Sequence, residues 1–163
     1  MSKSKMVGII TLVVFVLGIA LVGTAVAGEK FKWRIGWYRV KGESVKVPSE
    51  EGRIMVVFED KGMLTVLQGN PLMDRMAGFH VGSVDVNSKM GKGFGHGEAE
   101  FTDRDGDKMY WAWEGKVEKG IWSGPANMLR GTGKFAGKKG KATFAPVTIA
   151  PNQLSADWEG EIE

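Results

Sequence analysis

Residues Phe94–Lys116 read FGHGEAEFTDRDGDKMYWAWEGK, and the register of this stretch decides the fold. Alternation of period two runs on both sides of Asp103-Arg104-Asp105-Gly106-Asp107, the mark of two strands joined by a turn. A three-residue hairpin loop ends on a residue in the left-handed region, where glycine is favoured, so Gly106 sets Asp103 opposite Asp107. Counting back, Phe101 faces Met109, Ala99 faces Trp111 and Gly97 faces Trp113. The other side pairs Glu100 with Tyr110, Glu98 with Ala112 and His96 with Glu114. A two-residue turn at Asp105-Gly106 mixes tryptophans with glutamates on each face. The three-residue loop sorts apolar from polar, and a slip of one residue destroys that sorting.

The same alternation recurs along the chain. Phe31, Trp33, Ile35 and Trp37 share one side of a strand, with Lys32, Arg34 and Tyr38 opposite. Phe79–Val86 reads as another strand. Leu154, Ala156, Trp158, Gly160 and Ile162 face one way, against Ser155, Asp157, Glu159 and Glu161. Ile54–Phe58 and Met63–Leu67 read as the arms of a second hairpin that turns at Asp60-Lys61-Gly62, pairing Phe58 with Leu64 and Val56 with Val66. Its other face carries Met55, Val57, Thr65 and Leu67, so both faces are apolar and the outer one needs a cover. Lys134–Thr148 holds one or two further strands before a stop at Pro151. No long stretch after residue 27 shows helical periodicity, and Pro71–Met76 makes at most one short turn. About eight short strands with regular turn signals predict an all-β fold, an antiparallel barrel or sandwich, in a single domain over residues 28–163.

Residues 1–27 read separately. MSKSK carries Lys3 and Lys5, Met6–Val22 is apolar, and Ala25-Val26-Ala27 fits a signal-peptidase site. This is the pattern of a signal peptide, with the mature chain starting at Gly28. The apolar run also approaches the ~20 residues of a membrane helix, so an uncleaved anchor is the alternative. On either reading the domain is exported, periplasmic or secreted, and touches a membrane only through this segment. The 163 residues include no cysteine, so neither a disulfide nor a lipid-bearing thiol supports the domain. Lysine and arginine number 22 against 19 acidic residues. Setting aside Lys3 and Lys5 leaves 20 against the same 19, which lacks the basic footprint of a nucleic-acid binder.

Gly131-Thr132-Gly133-Lys134-Phe135-Ala136 satisfies G-x-G-x-x-A. That motif holds a pyrophosphate only where it joins a strand to a helix. Here Gly137-Lys138-Lys139-Gly140 and alternating β-type residues follow, which predicts no helix, and the spacing also fails the P-loop pattern. The lysines read as the solvated side of a hairpin, with Phe135 and Phe144 on its buried side. The same segment, Gly131–Gly140 GTGKFAGKKG, resembles the G-T-G-x-F-x-G-x-x-G segment of allene oxide cyclase-like and dirigent-like barrels. The acidic hairpin before a tryptophan-rich strand is similar too, and the resemblance extends over about residues 92–163. It implies an eight-stranded calycin-type barrel with an apolar pocket, often trimeric, in a group that includes cyclases acting on apolar substrates. No catalytic residue of that group is matched to a position here.

His96, Glu98, Glu100, Tyr110 and Glu114 form the one dense set of ionisable groups on a shared face. A functional reading makes His96 and Glu114 an acid/base pair across the hairpin. The plainer reading is the wet outer face of a strand pair, favoured because Trp111 and Trp113 claim the interior. His80 has no evident partner. Asp103, Asp105 and Asp107, with Glu114 beyond, hint at calcium, but an EF-hand loop needs glycine at its sixth position, where Lys108 stands. Two histidines and no cysteine leave no zinc site. No metal and no cofactor are expected. Trp33, Trp37, Trp111, Trp113 and Trp158 all lie on apolar faces, where they either pack a core or wall a cavity for one ligand. The expected partners are a small apolar molecule and further copies of the chain, as a trimer. Three functions follow in order: a binding module for that molecule, a cyclase or isomerase using the same cavity, and a structural protein with a solid core.

Overall fold

Eight strands follow one another in a meander: β1 (Glu29–Lys46), β2 (Arg53–Gln68), β3 (Met76–Asn87), β4 (Lys92–Thr102), β5 (Lys108–Glu118), β6 (Ile121–Gly131), β7 (Gly140–Ala150) and β8 (Gln153–Ile162). Each pairs antiparallel with the next, and β1 also pairs with β8, from Glu29↔Ile162 to Tyr38↔Gln153, which closes the barrel. Closure removes the sheet edges that an open meander would expose. The computed structural model describes residues 28–163 apart from 120, 151 and 152. The readings of the leader and of a stop at Pro151 lie outside the described residues.

The β4–β5 register is the one the sequence predicts: His96↔Glu114, Gly97↔Trp113, Ala99↔Trp111 and Phe101↔Met109. The loop closes through Gly106 N–H to Asp103 O and Asp103 N–H to Asp107 O, with Gly106 at φ +88°. The Asp103 carboxylate adds bonds from the Asp105 and Asp107 amides, both 2.9 Å. These aspartates therefore build a turn, as the hairpin reading requires.

The second hairpin of the sequence reading does not exist. Arg53–Gln68 is one continuous strand, paired with β1 on one side and β3 on the other. Asp60-Lys61-Gly62 has turn chemistry, but Gly62 is not among the residues at positive φ. Its role is space. A Cβ there would lie 2.2 Å from the Gly36 carbonyl oxygen and 2.5 Å from the Trp37 ring. The turn into β2 comes earlier, at residues 47–52, and ends on Gly52 at φ +83°. The face assignment survives this correction, because Phe58 and Leu64 point inward under either reading and both are buried.

The interior has two ends. At the lower end, where the described chain begins, Phe31, Trp33, Phe101, Trp111 and Trp158 pack ring on ring. Phe31 and Trp33 stack at 3.7 Å, and Trp111 meets Trp33 and Trp158 edge-on at 5.8 Å. Each such side chain removes roughly 150–250 Å² from water, which makes this layer the main hydrophobic driving force. Two single 3-10 turns, Pro71–Met73 and Gly133–Phe135, bring the buried Met73 and Phe135 to this end. The second of these turns replaces part of the strand expected from Lys134, although Phe135 and Phe144 are buried as predicted. At the upper end the layer thins. Val56, Val84, Trp122 and Leu154 are only partly buried against the core.

Candidate functional site

Four polar residues are buried among the described residues: Asp60, His80, Asp85 and Asn87. Two have plain structural work. Asp85 takes two hydrogen bonds from Arg53, at 2.8 and 2.6 Å. Asn87 Oδ1 accepts from the amides of Lys89 and Met90, closing the β3–β4 turn. Asp60 and His80 differ, because they sit inside the barrel. Strand parity places them there: Asp60 shares its side of β2 with Phe58 and Leu64, and His80 shares its side of β3 with Met76. The register sets the two directly opposite each other.

His80 lies among rings. Its imidazole is 4.8 Å from Trp37, 5.1 Å from Phe58 and 5.3 Å from Trp113, centroid to centroid. Nδ1 stands 3.3 Å from Asp60 Oδ2, close enough for an ion pair but outside hydrogen-bond geometry, and it is buried with no other partner. The second carboxylate oxygen, Oδ1, accepts from Arg39 Nε at 2.5 Å. Arg39 also lies over the Phe58 ring, 4.4 Å from its centroid. It stands where β1 shifts register and parts from β8, so its side chain reaches in from the mouth and stays about one-third exposed. Burial pushes the Asp60 carboxyl up. The His80 imidazole and the Arg39 guanidinium more than offset this and hold it below the usual carboxylate range.

Room for these rings comes from inward-facing glycines. A Cβ at Gly82 would lie 2.7 Å from Trp113 and 2.9 Å from Phe58, and one at Gly97 would lie 2.8 Å from Trp113. The result is an aromatic cluster with a polar pair packed into it, below Val56, Val84, Trp122 and Leu154, which are only partly buried. A buried imidazole–carboxylate pair can hold a hydroxyl or carbonyl group of a ligand, and can accept or return a proton.

The residues singled out by the sequence fall in three places. His96, Glu98, Glu100, Tyr110 and Glu114 lie on the outer face of β4–β5. There Glu100 is bound by Lys108 at 2.7 Å, and Arg130 stacks on Tyr110. Trp33, Trp111 and Trp158 belong to the lower ring layer. Trp37 and Trp113 pack around His80. The sequence reading left His80 without a partner. The partner is Asp60, hidden because Asp60-Lys61-Gly62 reads as a turn. The available signal was a lone histidine on an apolar strand face, which calls for a polar partner from a neighbouring strand.

The fold is that of solved calycin-type barrels. A pterocarpan synthase dirigent protein superposes with a TM-score of 0.50 at 15% identity, over 83% of this chain and 92% of that one. A pyocyanin demethylase is also similar, with a TM-score of 0.45 at 14% identity, over 81% of this chain and 99% of that one. The dirigent-like resemblance carried by the glycine segment therefore holds at the level of fold. No protein-family model matches the chain, and no curated protein sequence does.

Proposed function

We propose that this is an exported barrel that binds a small, largely apolar molecule at the upper end of its interior. Trp37, Phe58 and Trp113 enclose the apolar body, and the Asp60–His80 pair meets one hydrogen-bonding group on it. The observation that carries this reading is the pair itself. Taking an acid and an imidazole out of water costs free energy that only good partners repay. The His80 Nδ1 edge is turned to Asp60, which leaves Nε2 as the nitrogen to meet a ligand. Export rests on the charged, apolar and small-residue segments of residues 1–27, and an intact mass starting at Gly28 is the expected result for a cleaved leader.

The same pair favours a second reading, the cyclase or isomerase alternative, in which His80 moves a proton on the bound molecule while Asp60 orients the ring. A matched pair of probes tests the binding reading. Titration with 1-naphthol should quench tryptophan emission saturably, with an affinity about two- to tenfold above that of 1-methylnaphthalene, since one hydrogen bond is worth about 0.5–1.5 kcal/mol. His80→Phe should keep the fold and erase the difference. Failure of both probes to saturate, in a protein that retains its near-ultraviolet tryptophan dichroism, would sink the proposal.

A further inference from the structure

We infer that Arg39 is a binding residue for a carboxylate, so that the molecule taken up at the upper end of the barrel is an apolar acid. This rests on the binding reading above and adds the charge of the ligand to it. A guanidinium carries five N–H groups. Asp60 accepts from one of them, at Nε. Nη1 and Nη2 make no hydrogen bond among the described residues, and the side chain stays about one-third exposed. What remains is the planar end of the fork, which can give both oxygens of a carboxylate a partner at once. Gly42, further along β1, leaves room for it. A Cβ there would lie 3.3 Å from both Cδ and Nη1 of Arg39. The Phe58 ring beneath the guanidinium holds it in place.

The register supports the sign of the charge. Beyond the shift at residues 39–41, Gly42, Ser44 and Lys46 stand opposite Phe58, Val56 and Ile54. Cross-strand partners share a face, and Phe58 is buried in the interior. Lys46 therefore faces the same side as Arg39, nearer the mouth, and forms no ion pair among the described residues. By the same parity Lys41 and Glu59 face outward, where they pair with each other. The rim acids Glu50 and Glu51 are engaged by Arg53 and Lys89. Apart from the His80 imidazole, the ionisable side chains that the described strands turn to the upper interior are thus Arg39, Lys46 and Asp60. Two cations against one acid draw an anion to this end.

Titration of tryptophan emission with 1-naphthoate and with 1-naphthamide tests this, since the amide keeps the shape and removes the charge. Near neutral pH 1-naphthoate should bind at least tenfold more tightly, the scale of a charge-assisted contact. The preference should shrink as sodium chloride is raised. Arg39→Gln should abolish it while the near-ultraviolet tryptophan dichroism is retained and 1-naphthol still saturates. Should Arg39→Gln lose that dichroism, Arg39→Lys decides instead: it keeps the charge without the fork and should cut the preference at least threefold. Saturable binding of 1-naphthol with no preference for 1-naphthoate overturns the role of Arg39 and leaves the binding reading standing. A preference that survives Arg39→Gln in the folded protein places the anion elsewhere and also overturns the inference. Saturation by none of the three probes overturns both readings.

Discussion

Two histidine–carboxylate pairs face each other across neighbouring strands, His96 with Glu114 on β4–β5 and His80 with Asp60 on β2–β3. The chemistry is the same and the register is equally direct, yet one pair is exposed and the other is nearly sealed. Parity alone separates them. His96 and Glu114 share the polar side of their hairpin, so water screens them and no ion pair forms between them among the described contacts. Asp60 and His80 share the apolar side, where neighbouring rings exclude water and each interaction counts for more. A candidate functional pair is thus marked less by its residue types than by what stands behind it.

The largest expected effect comes from removing what stands behind the inner pair. Trp113 meets His80 at 5.3 Å and also touches Trp122 and Phe144. Trp113→Ala should cost about 3–5 kcal/mol in chemical denaturation, the range for truncating a buried large aromatic side chain. It leaves Glu114, its neighbour on the opposite face, untouched. A cost below about 1 kcal/mol, as for a surface site, would mean that the packing around His80 is not built on this ring.

Removing one member of the inner pair comes next. Asp60→Asn leaves Arg39 and His80 without their shared acid and should cost about 1–3 kcal/mol near neutral pH. The pH dependence sharpens this. The folded Asp60 carboxyl is held below its unfolded value, because His80 and Arg39 outweigh the opposing effect of burial. Its contribution is therefore complete above the unfolded value, about 3.9, and is lost as pH falls through the lower, folded value. Asp60→Asn should flatten that acid limb. A variant that loses stability with acid as steeply as wild type would remove Asp60 from the account.

Much of this was legible in the chain, and the reason it stopped where it did is physical. Gly106 and Gly62 each end a short charged run, Asp103-Arg104-Asp105 and Glu59-Asp60-Lys61, and local chemistry cannot tell them apart. Gly106 has nothing within 4 Å of an added Cβ and takes positive φ, while Gly62 lies against the Trp37 ring. The difference is a contact with β1, distant in sequence, which period-two reading cannot supply. The core faces were nevertheless recovered, because a three-residue turn and a continuous strand give the same parity to Phe58 and Leu64. Asp60 was lost to the turn, and His80 lost its partner with it. The outer set from His96 to Glu114 was found because its register depends only on a local loop.

The smallest expected effect is on the outer pair. Glu114 is exposed, and His96 opposite it makes no bond that removal would leave unsatisfied within the described structure. Exposed charge pairs are worth about 0–1 kcal/mol even when formed, since water and salt screen them. Glu114→Ala should therefore change stability by less than about 0.5 kcal/mol. It should also leave the preference for 1-naphthol over 1-methylnaphthalene intact, because the backbone of β5 stands between this carboxylate and the barrel interior. The decisive comparison is with Asp60→Asn under identical conditions. Were Glu114→Ala the costlier of the two, or the one that removed probe discrimination, the better candidate would be the pair on the outer face, and the ring cluster around His80 would be only a packed core with a polar fault in it.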